Sequence, residues 1–180
     1  VLRIVAGSDE GLVLEPNDQG RIAVRKFNYA TREVGEVVYQ VPDWDISDAL
    51  TDKDGKLLAA FYTDDRDRAV WFEPGLKSIY AKFEKALPGQ QVWIISRAED
   101  DSRMLVWVGN ESNPGQVFLY DAAKRSLDSF SDELPNLDRS LTVAPTPIRY
   151  AARDGTVING YLTLPRGRTP KQLPLIVMPH

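Results

Sequence analysis

One pattern occurs twice in this sequence, and it constrains the fold more than any other feature. LLAAFYTDDRDRAVWFEPG (Leu57–Gly75) and MLVWVGNESNPGQVFLYDA (Met104–Ala122) have the same form. Each has an apolar strand, a polar loop, an apolar and aromatic strand, and then an acidic residue. The two copies start about 47 residues apart, and a weaker copy, GRIAVRKFNYATREVG, lies about as far upstream. The spacing predicts a β-hairpin that is repeated along the chain.

A period of about 47 residues is typical of a four-stranded β-propeller blade and favours blades over an ordinary β-sandwich. Short apolar runs separated by turn residues continue the pattern to about residue 131. The predicted strands are Leu2–Ala6, Arg21–Phe27, Val34–Tyr39, Leu57–Thr63, Ala69–Phe72, Val92–Ser96, Met104–Val108 and Val117–Tyr120. Because a closed propeller needs about four to eight blades, we expect residues 1–131 to be the last two or three blades of one that begins upstream of Val1.

One segment interrupts the strands with a different period. Its apolar residues recur at three- and four-residue spacing, which predicts an amphipathic helix of about three turns that ends before Pro88-Gly89. These residues are Leu76, Ile79, Tyr80, Phe83 and Leu87.

The sequence changes character after Ser131. Residues 132–146 contain prolines and few regular signals, and we interpret them as a linker. In residues 147–180, two β-rich runs flank Asp154-Gly155, which predicts a hairpin because both residues tolerate positive φ. The run LPLIVMPH, from Leu173 to His180, is apolar without alternation, which is typical of a central strand buried on both faces.

Three blocks of this last stretch resemble one family. They are Tyr150–Gly155 (YAARDG), Ile158–Pro165 (INGYLTLP) and Leu173–His180 (LPLIVMPH). Together they resemble the junction in serine peptidases of the prolyl oligopeptidase family, especially acylaminoacyl-peptidase-like and dipeptidyl-aminopeptidase-like members. The segment Val117–Leu127 is similar to the final propeller strands of that family. The resemblance implies a mainly β chain, with the end of a propeller followed by the first strands of an α/β-hydrolase domain.

The resemblance also implies peptide cleavage by a Ser-His-Asp triad, with the serine in a G-x-S-x-G turn. No such motif occurs in this sequence, since Gly7–Gly11 has its serine one place too early. His180 precedes the expected triad region, so the resemblance gives it a structural role at the start of the oxyanion loop. We therefore expect no catalytic residue in this chain, a triad beyond it, and no hydrolysis by these 180 residues alone.

Composition restricts the partners. The net charge is −4 without a basic cluster, which argues against nucleic acid, and no apolar run approaches the roughly 18–20 residues that span a membrane. No cysteine is present, so thiolate metal sites are excluded; this fits a reducing cytoplasm better than a periplasm without deciding between them. We expect no cofactor and no metal. The expected partners are peptide substrates and the remainder of the catalytic domain, and the oligomeric state stays open.

Other polar and aromatic clusters have simpler interpretations. Asp52–Gly55 and Asp64–Arg68 do not fit a calcium-binding EF-hand and are interpreted as solvated hairpin loops. The four tryptophans are interpreted as packing residues, rather than as a ligand groove: Trp44, Trp71, Trp93 and Trp107. Two alternative functions stay open, a non-catalytic propeller that binds peptides or proteins, and an esterase of the same fold.

Overall fold

The computed structural model describes residues 2, 4–5 and 7–179 of the chain. The strand predicted at Leu2–Ala6 lies partly outside these residues, and its described residues, 2, 4 and 5, are in no strand, since the first strand begins at Glu10. His180 lies outside the described residues. The fold is mainly β, as expected, and divides into two compact units, Val1–Lys85 and Ala86–His180. Within the described ranges no helix has both the length and the apolarity needed to cross a membrane.

The first unit contains two antiparallel sheets of three strands and one helix. The strands of one sheet are β1 (Glu10–Pro16), β2 (Ile22–Asn28) and β3 (Glu33–Tyr39), and those of the other are β4 (Ile46–Thr51), β5 (Leu57–Thr63) and β6 (Asp67–Trp71). The helix, α1, spans Pro74–Ala86. In both sheets each strand pairs with the next along the chain, as expected for a series of hairpins.

A small apolar cluster joins these two sheets. Val24 of β2, Ile46 at the start of β4 and Ala60 of β5 are each at most 2% exposed and pack together. Next to this cluster, the carboxylate of Asp45 accepts a hydrogen bond from the Ile22 N–H at 3.0 Å. The core therefore depends on contacts between sheets as well as on alternation within each strand.

Helix α1 confirms the predicted helix, and its start has a local cause. The Glu73 carboxylate accepts a hydrogen bond from the Leu76 N–H at 2.6 Å and so caps the first turn. Leu76 and Phe83 are buried, and the Tyr80 ring lies 5.2 Å from the Trp71 ring. Burial, aided by the negative charge of Glu84, raises the pKa of Tyr80 to about 12.

The second unit contains a four-stranded antiparallel sheet in the order of the chain. Its strands are β7 (Gln91–Arg97), β8 (Arg103–Asn110), β9 (Asn113–Asp121) and β10 (Ser126–Asp132). Side chains of Val92, Met104, Val106 and Val108 are at most 4% exposed and form its buried face. A short 3₁₀ helix (Arg139–Leu141) follows, and then a hairpin of β11 (Thr146–Ala151) and β12 (Val157–Leu162).

The register of the strands confirms that the hairpins repeat. Ala59 pairs with Trp71 in the β5–β6 hairpin, and Val106 pairs with Phe118 at the same offset of 47 residues in the β8–β9 hairpin. The weaker upstream copy, GRIAVRKFNYATREVG, covers the β2–β3 hairpin, which is the wrong one. The matching pairs lie in β1–β2, 46 residues before those of β5–β6, because Glu10–Pro16 is a strand that the sequence patterns did not predict.

The strand predicted within Leu173–His180 is also wrong over its described residues. Residues 173–179 form no strand, and the four side chains from Leu175 to Met178 are 72–86% exposed. The physical reason is that a strand is defined by hydrogen bonds to a neighbour, and no described strand pairs with this run. An apolar sequence alone predicts burial but does not supply the partner.

Candidate functional site

The candidate site is the junction between the four-stranded sheet and the β11–β12 hairpin. In the hairpin, Ala151 pairs with Val157, so the turn holds Asp154-Gly155 as predicted, and Gly155 has φ +86°. The Asp154 carboxylate accepts a hydrogen bond from the Thr156 N–H at 2.9 Å, and this contact holds the pKa of Asp154 below its ordinary value. The first two of the three sequence blocks that resemble the peptidase junction therefore contribute to a hairpin.

The segment between β10 and β11 is held by one arginine. Arg139 donates from Nη2 to the Asp132 carboxylate at 2.6 Å and from Nη1 to the Asn113 side-chain oxygen. Asp132 is the last residue of β10, and Asn113 is the first residue of β9. The planar guanidinium suits this arrangement, since it presents two N–H donors in a fixed fork.

Charge favours this contact. Arg139 and Asp132 are 33% and 27% exposed, so their attraction is less screened than that of a fully exposed pair. Partial burial acts to raise the pKa of Asp132, but hydrogen bonds from the Leu134 N–H, Arg139 and Gln116 hold it below its ordinary value. Asp132 is thus an ionised acceptor at neutral pH.

Thr142, the residue directly after the 3₁₀ helix, forms a second contact point. Its hydroxyl donates to the Ser112 carbonyl, and it also lies 2.8 Å from the Arg139 carbonyl oxygen. The Thr142 carbonyl in turn accepts a hydrogen bond at 3.0 Å from Arg166, which follows β12. The segments before and after the hairpin therefore meet at one threonine.

Sequence reasoning did not identify Arg139, Asp132 or Asn113, and it treated residues 132–146 as a plain linker. The available signal was weak: an arginine in a proline-flanked segment pairs with an aspartate only seven positions earlier. His180, the one site residue inferred from the resemblance, lies outside the described residues. His180 is the one histidine in the sequence.

Asp52–Gly55 forms a loop, as interpreted from the sequence, whereas only the first three residues of Asp64–Arg68 do, since Asp67 and Arg68 lie in β6. Asp52 accepts hydrogen bonds from the N–H groups of Asp54 and Lys56, both at 2.9 Å, and so closes its own turn. In the described ranges no group of three His, Cys, Asp or Glu side chains is arranged to hold a metal ion.

The loop between β5 and β6 is closed by an ion pair. Arg68 donates to the Asp64 carboxylate at 3.0 Å and to Asp65 at 2.9 Å. The Arg68 guanidinium beside Asp64 holds the pKa of this carboxyl well below its usual range. Asp64 also accepts hydrogen bonds from the Asp65 and Arg66 N–H groups, so a neutral side-chain oxygen would keep the turn.

We expect Asp64→Asn to remove an acid-sensitive contribution to stability. Because the folded-state pKa is lowered, the ion pair stabilises the fold above the unfolded-state pKa and is lost as pH falls through the folded-state value. The variant should therefore be less stable than the wild type at pH 7, by less than about 1 kcal/mol, and its deficit should be smaller at pH 2, where part of the ion-pair contribution is already lost. Urea unfolding at both pH values measures this. Asp54→Asn, at a side chain 72% exposed, is the control, and an equal deficit at both pH values would contradict the assignment.

The tryptophans do not share one environment. Trp71 is 8% exposed and packs against Phe61 and Tyr80, as expected for a core residue. Trp44 is 40% exposed, so its interpretation as a packing residue is wrong. The Trp107 ring lies against Gly109 and Gly115, two positions where a side chain would collide with it. This packing fixes the β8–β9 turn, to which Arg139 and Thr142 attach.

Comparison with known proteins gives a distant similarity to a curated peptidase. No family model matches the chain. The chain is 27% identical over 144 residues to dipeptidyl aminopeptidase BIII of Pseudoxanthomonas mexicana, which is 76% of this chain and 21% of that protein. The chain thus spans about a fifth of the length of the curated relative that it matches. This similarity supports a relation to the prolyl oligopeptidase family of peptidases, and to no particular member of it.

Proposed function

We propose that this chain is part of a serine peptidase of the prolyl oligopeptidase family that cleaves short peptides. In this proposal residues 1–131 belong to the last blades of a propeller, 132–146 to a linker, and the β11–β12 hairpin to the start of an α/β-hydrolase domain. The Ser-His-Asp triad lies outside these 180 residues. The observation that carries the proposal is the hairpin block YAARDG…INGYLTLP, supported by the similarity to a dipeptidyl aminopeptidase.

The β-sheet repeat supports the propeller part of the proposal. The four-stranded sheet β7–β10 has the strand order of a propeller blade, and its central hairpin repeats at 46- and 47-residue intervals. The two preceding sheets have three strands each, and helix α1 follows β6 where a fourth strand would stand in a regular blade. In the whole protein we propose that these blades cover the active site and admit only short or unstructured peptides.

A panel of substrates tests the function with the full-length protein. We expect dipeptidyl and acylaminoacyl amides to be hydrolysed. We also expect a short peptide to be cleaved, and a folded protein that contains the same peptide sequence to remain intact. Cleavage of the folded protein as fast as the short peptide would contradict the gating role. Activity on simple esters with none on any amide would favour the esterase alternative.

The binding-module alternative predicts a different result. A non-catalytic propeller would bind peptides without turnover, so the peptide would be recovered intact after titration. Binding of unmodified peptide with no hydrolysis of any amide or ester would therefore overturn the peptidase proposal and support a binding function.

A further inference from the structure

The contacts around Thr142 form a connected set, which begins at the β8–β9 turn. Three groups of that turn and of the adjoining strand ends accept from residues of the segment 138–142. They are the Asn113 side-chain oxygen, the Ser112 carbonyl and the Asp132 carboxylate. Their donors are Arg139, which supplies two N–H groups, and Thr142, which supplies its hydroxyl. The segment is therefore attached to the sheet by side chains and not by a strand ladder.

The segment is also rigid within itself. Asp138 caps the 3₁₀ helix by accepting from the Ser140 N–H at 2.9 Å, and the Leu141 N–H donates to the Asp138 carbonyl at 3.0 Å. The Arg139 side chain and the Thr142 hydroxyl are therefore held at a fixed separation on one short turn. A rigid segment with two attachment points restrains direction as well as position.

The other end of the hairpin depends on this same segment. Arg166 lies four residues after the end of β12 and donates to the Thr142 carbonyl at 3.0 Å. This contact needs residues 138–142 in place, whereas the Arg139 contacts do not need Arg166. The second contact thus depends on the first. Arg139 attaches the segment to the sheet, and Arg166 attaches the loop after β12 to the segment.

We propose that residues 138–142 are a strap that fastens both ends of the β11–β12 hairpin to the β8–β9 turn, with Arg139 as the primary and Arg166 as the secondary attachment. The hairpin then moves with the four-stranded sheet as one body. Because the strap is closed by side chains, a single substitution opens it without removing a strand. This inference does not depend on the proposed peptidase function.

Hydrogen exchange of the full-length protein tests the primary attachment. We expect Arg139→Met to speed exchange roughly tenfold in peptides covering 111–116 and 138–142 together, because a charge-assisted contact shared by both is lost. Arg139→Lys keeps the charge but loses the fork, so its effect should be smaller and in the same two peptides. Exchange within twofold of the wild type in both peptides would overturn the proposal. If Arg139→Met speeds exchange throughout strand β8, Arg139→Lys is used instead. Exchange within twofold of the wild type in both peptides of Arg139→Lys would then overturn the proposal.

Limited proteolysis tests the order of the two attachments. We expect Arg166→Met to increase chymotryptic cleavage after Tyr161 or Leu162 severalfold while exchange at 111–116 stays at the wild-type rate. Arg139→Met should increase both. Arg168→Met is the matched control, because Arg168 is exposed on the same loop and should change neither. Faster exchange at 111–116 in Arg166→Met, equal to that in Arg139→Met, would overturn the order. None of these measurements uses peptidase activity, so the strap and the proposed function fail separately.

Discussion

Gly115→Ala is expected to destabilise the four-stranded sheet by about 3 kcal/mol or more. Two effects combine at this position. Gly115 has φ +113°, a backbone conformation that residues with a side chain rarely adopt, and an added Cβ would lie within the van der Waals radius of the Trp107 indole. The same ring also lies against Gly109, where an added Cβ would be 2.7 Å from it, so the indole is packed against two glycines.

Urea unfolding of the full-length protein, with hydrogen exchange of β8 and β9 to localise the loss, measures this effect. Gly89→Ala is the matched control, since Gly89 has φ +75° but no atom within 4 Å of an added Cβ. Strain alone should reduce its stability by about 1 kcal/mol. Trp107→Leu combined with Gly115→Ala should cost less than the sum of the two changes, because the smaller side chain removes the collision. Equal effects at Gly115 and Gly89 would contradict the packing argument.

Ile46→Ala is expected to reduce the stability of the first unit by about 3 kcal/mol. Ile46 is 2% exposed and contacts Val24 and Ala60, which belong to two different sheets. Ala60 is already small and Val24 is fixed in the middle of β2, so the neighbours have little freedom to fill the cavity. The loss should therefore include the transfer free energy of the side chain and a further term for the cavity.

Thermal unfolding and hydrogen exchange of β2 and β5 check this prediction. Exchange should accelerate in both strands together, since the residue is shared between their sheets. Val38→Ala on β3 is the control, because Val38 is 41% exposed and its truncation should change stability by less than about 1 kcal/mol. Acceleration confined to β4 and β5 would show that Ile46 does not link the two sheets.

Local patterns predicted the strands that carry their own apolar residues. Leu57–Thr63 is a strand at the predicted bounds, and the helix around Leu76 and Phe83 was found from its period. By contrast β10, with the sequence SLDSFSD, has little apolar signal, because it is an edge strand whose place is set by pairing with β9. Strand assignments fail where the partner, rather than the sequence, determines the element.

The final apolar run and the strap both show that a local sequence pattern does not determine which residues contact each other. Leu175 to Met178 have strand-forming residues but no described partner, and they are exposed. Arg139 lies in a segment without a periodic signal, yet it contacts residues 26 positions and 7 positions away in the sequence. Contacts of single polar side chains across such separations depend on the three-dimensional fold, and no local pattern encodes them. The hairpin at Asp154-Gly155 was predictable because its determinants are all within the turn.

Labelling of the full-length protein with a fluorophosphonate tests the central proposal most directly, because this reagent modifies only a serine that a neighbouring base has activated. The peptidase proposal predicts one modified serine per chain, outside residues 1–180 and within a G-x-S-x-G sequence, with loss of dipeptidyl amide hydrolysis in proportion to labelling. Absence of labelling in a folded protein, or labelling of a serine within residues 1–180, would contradict it.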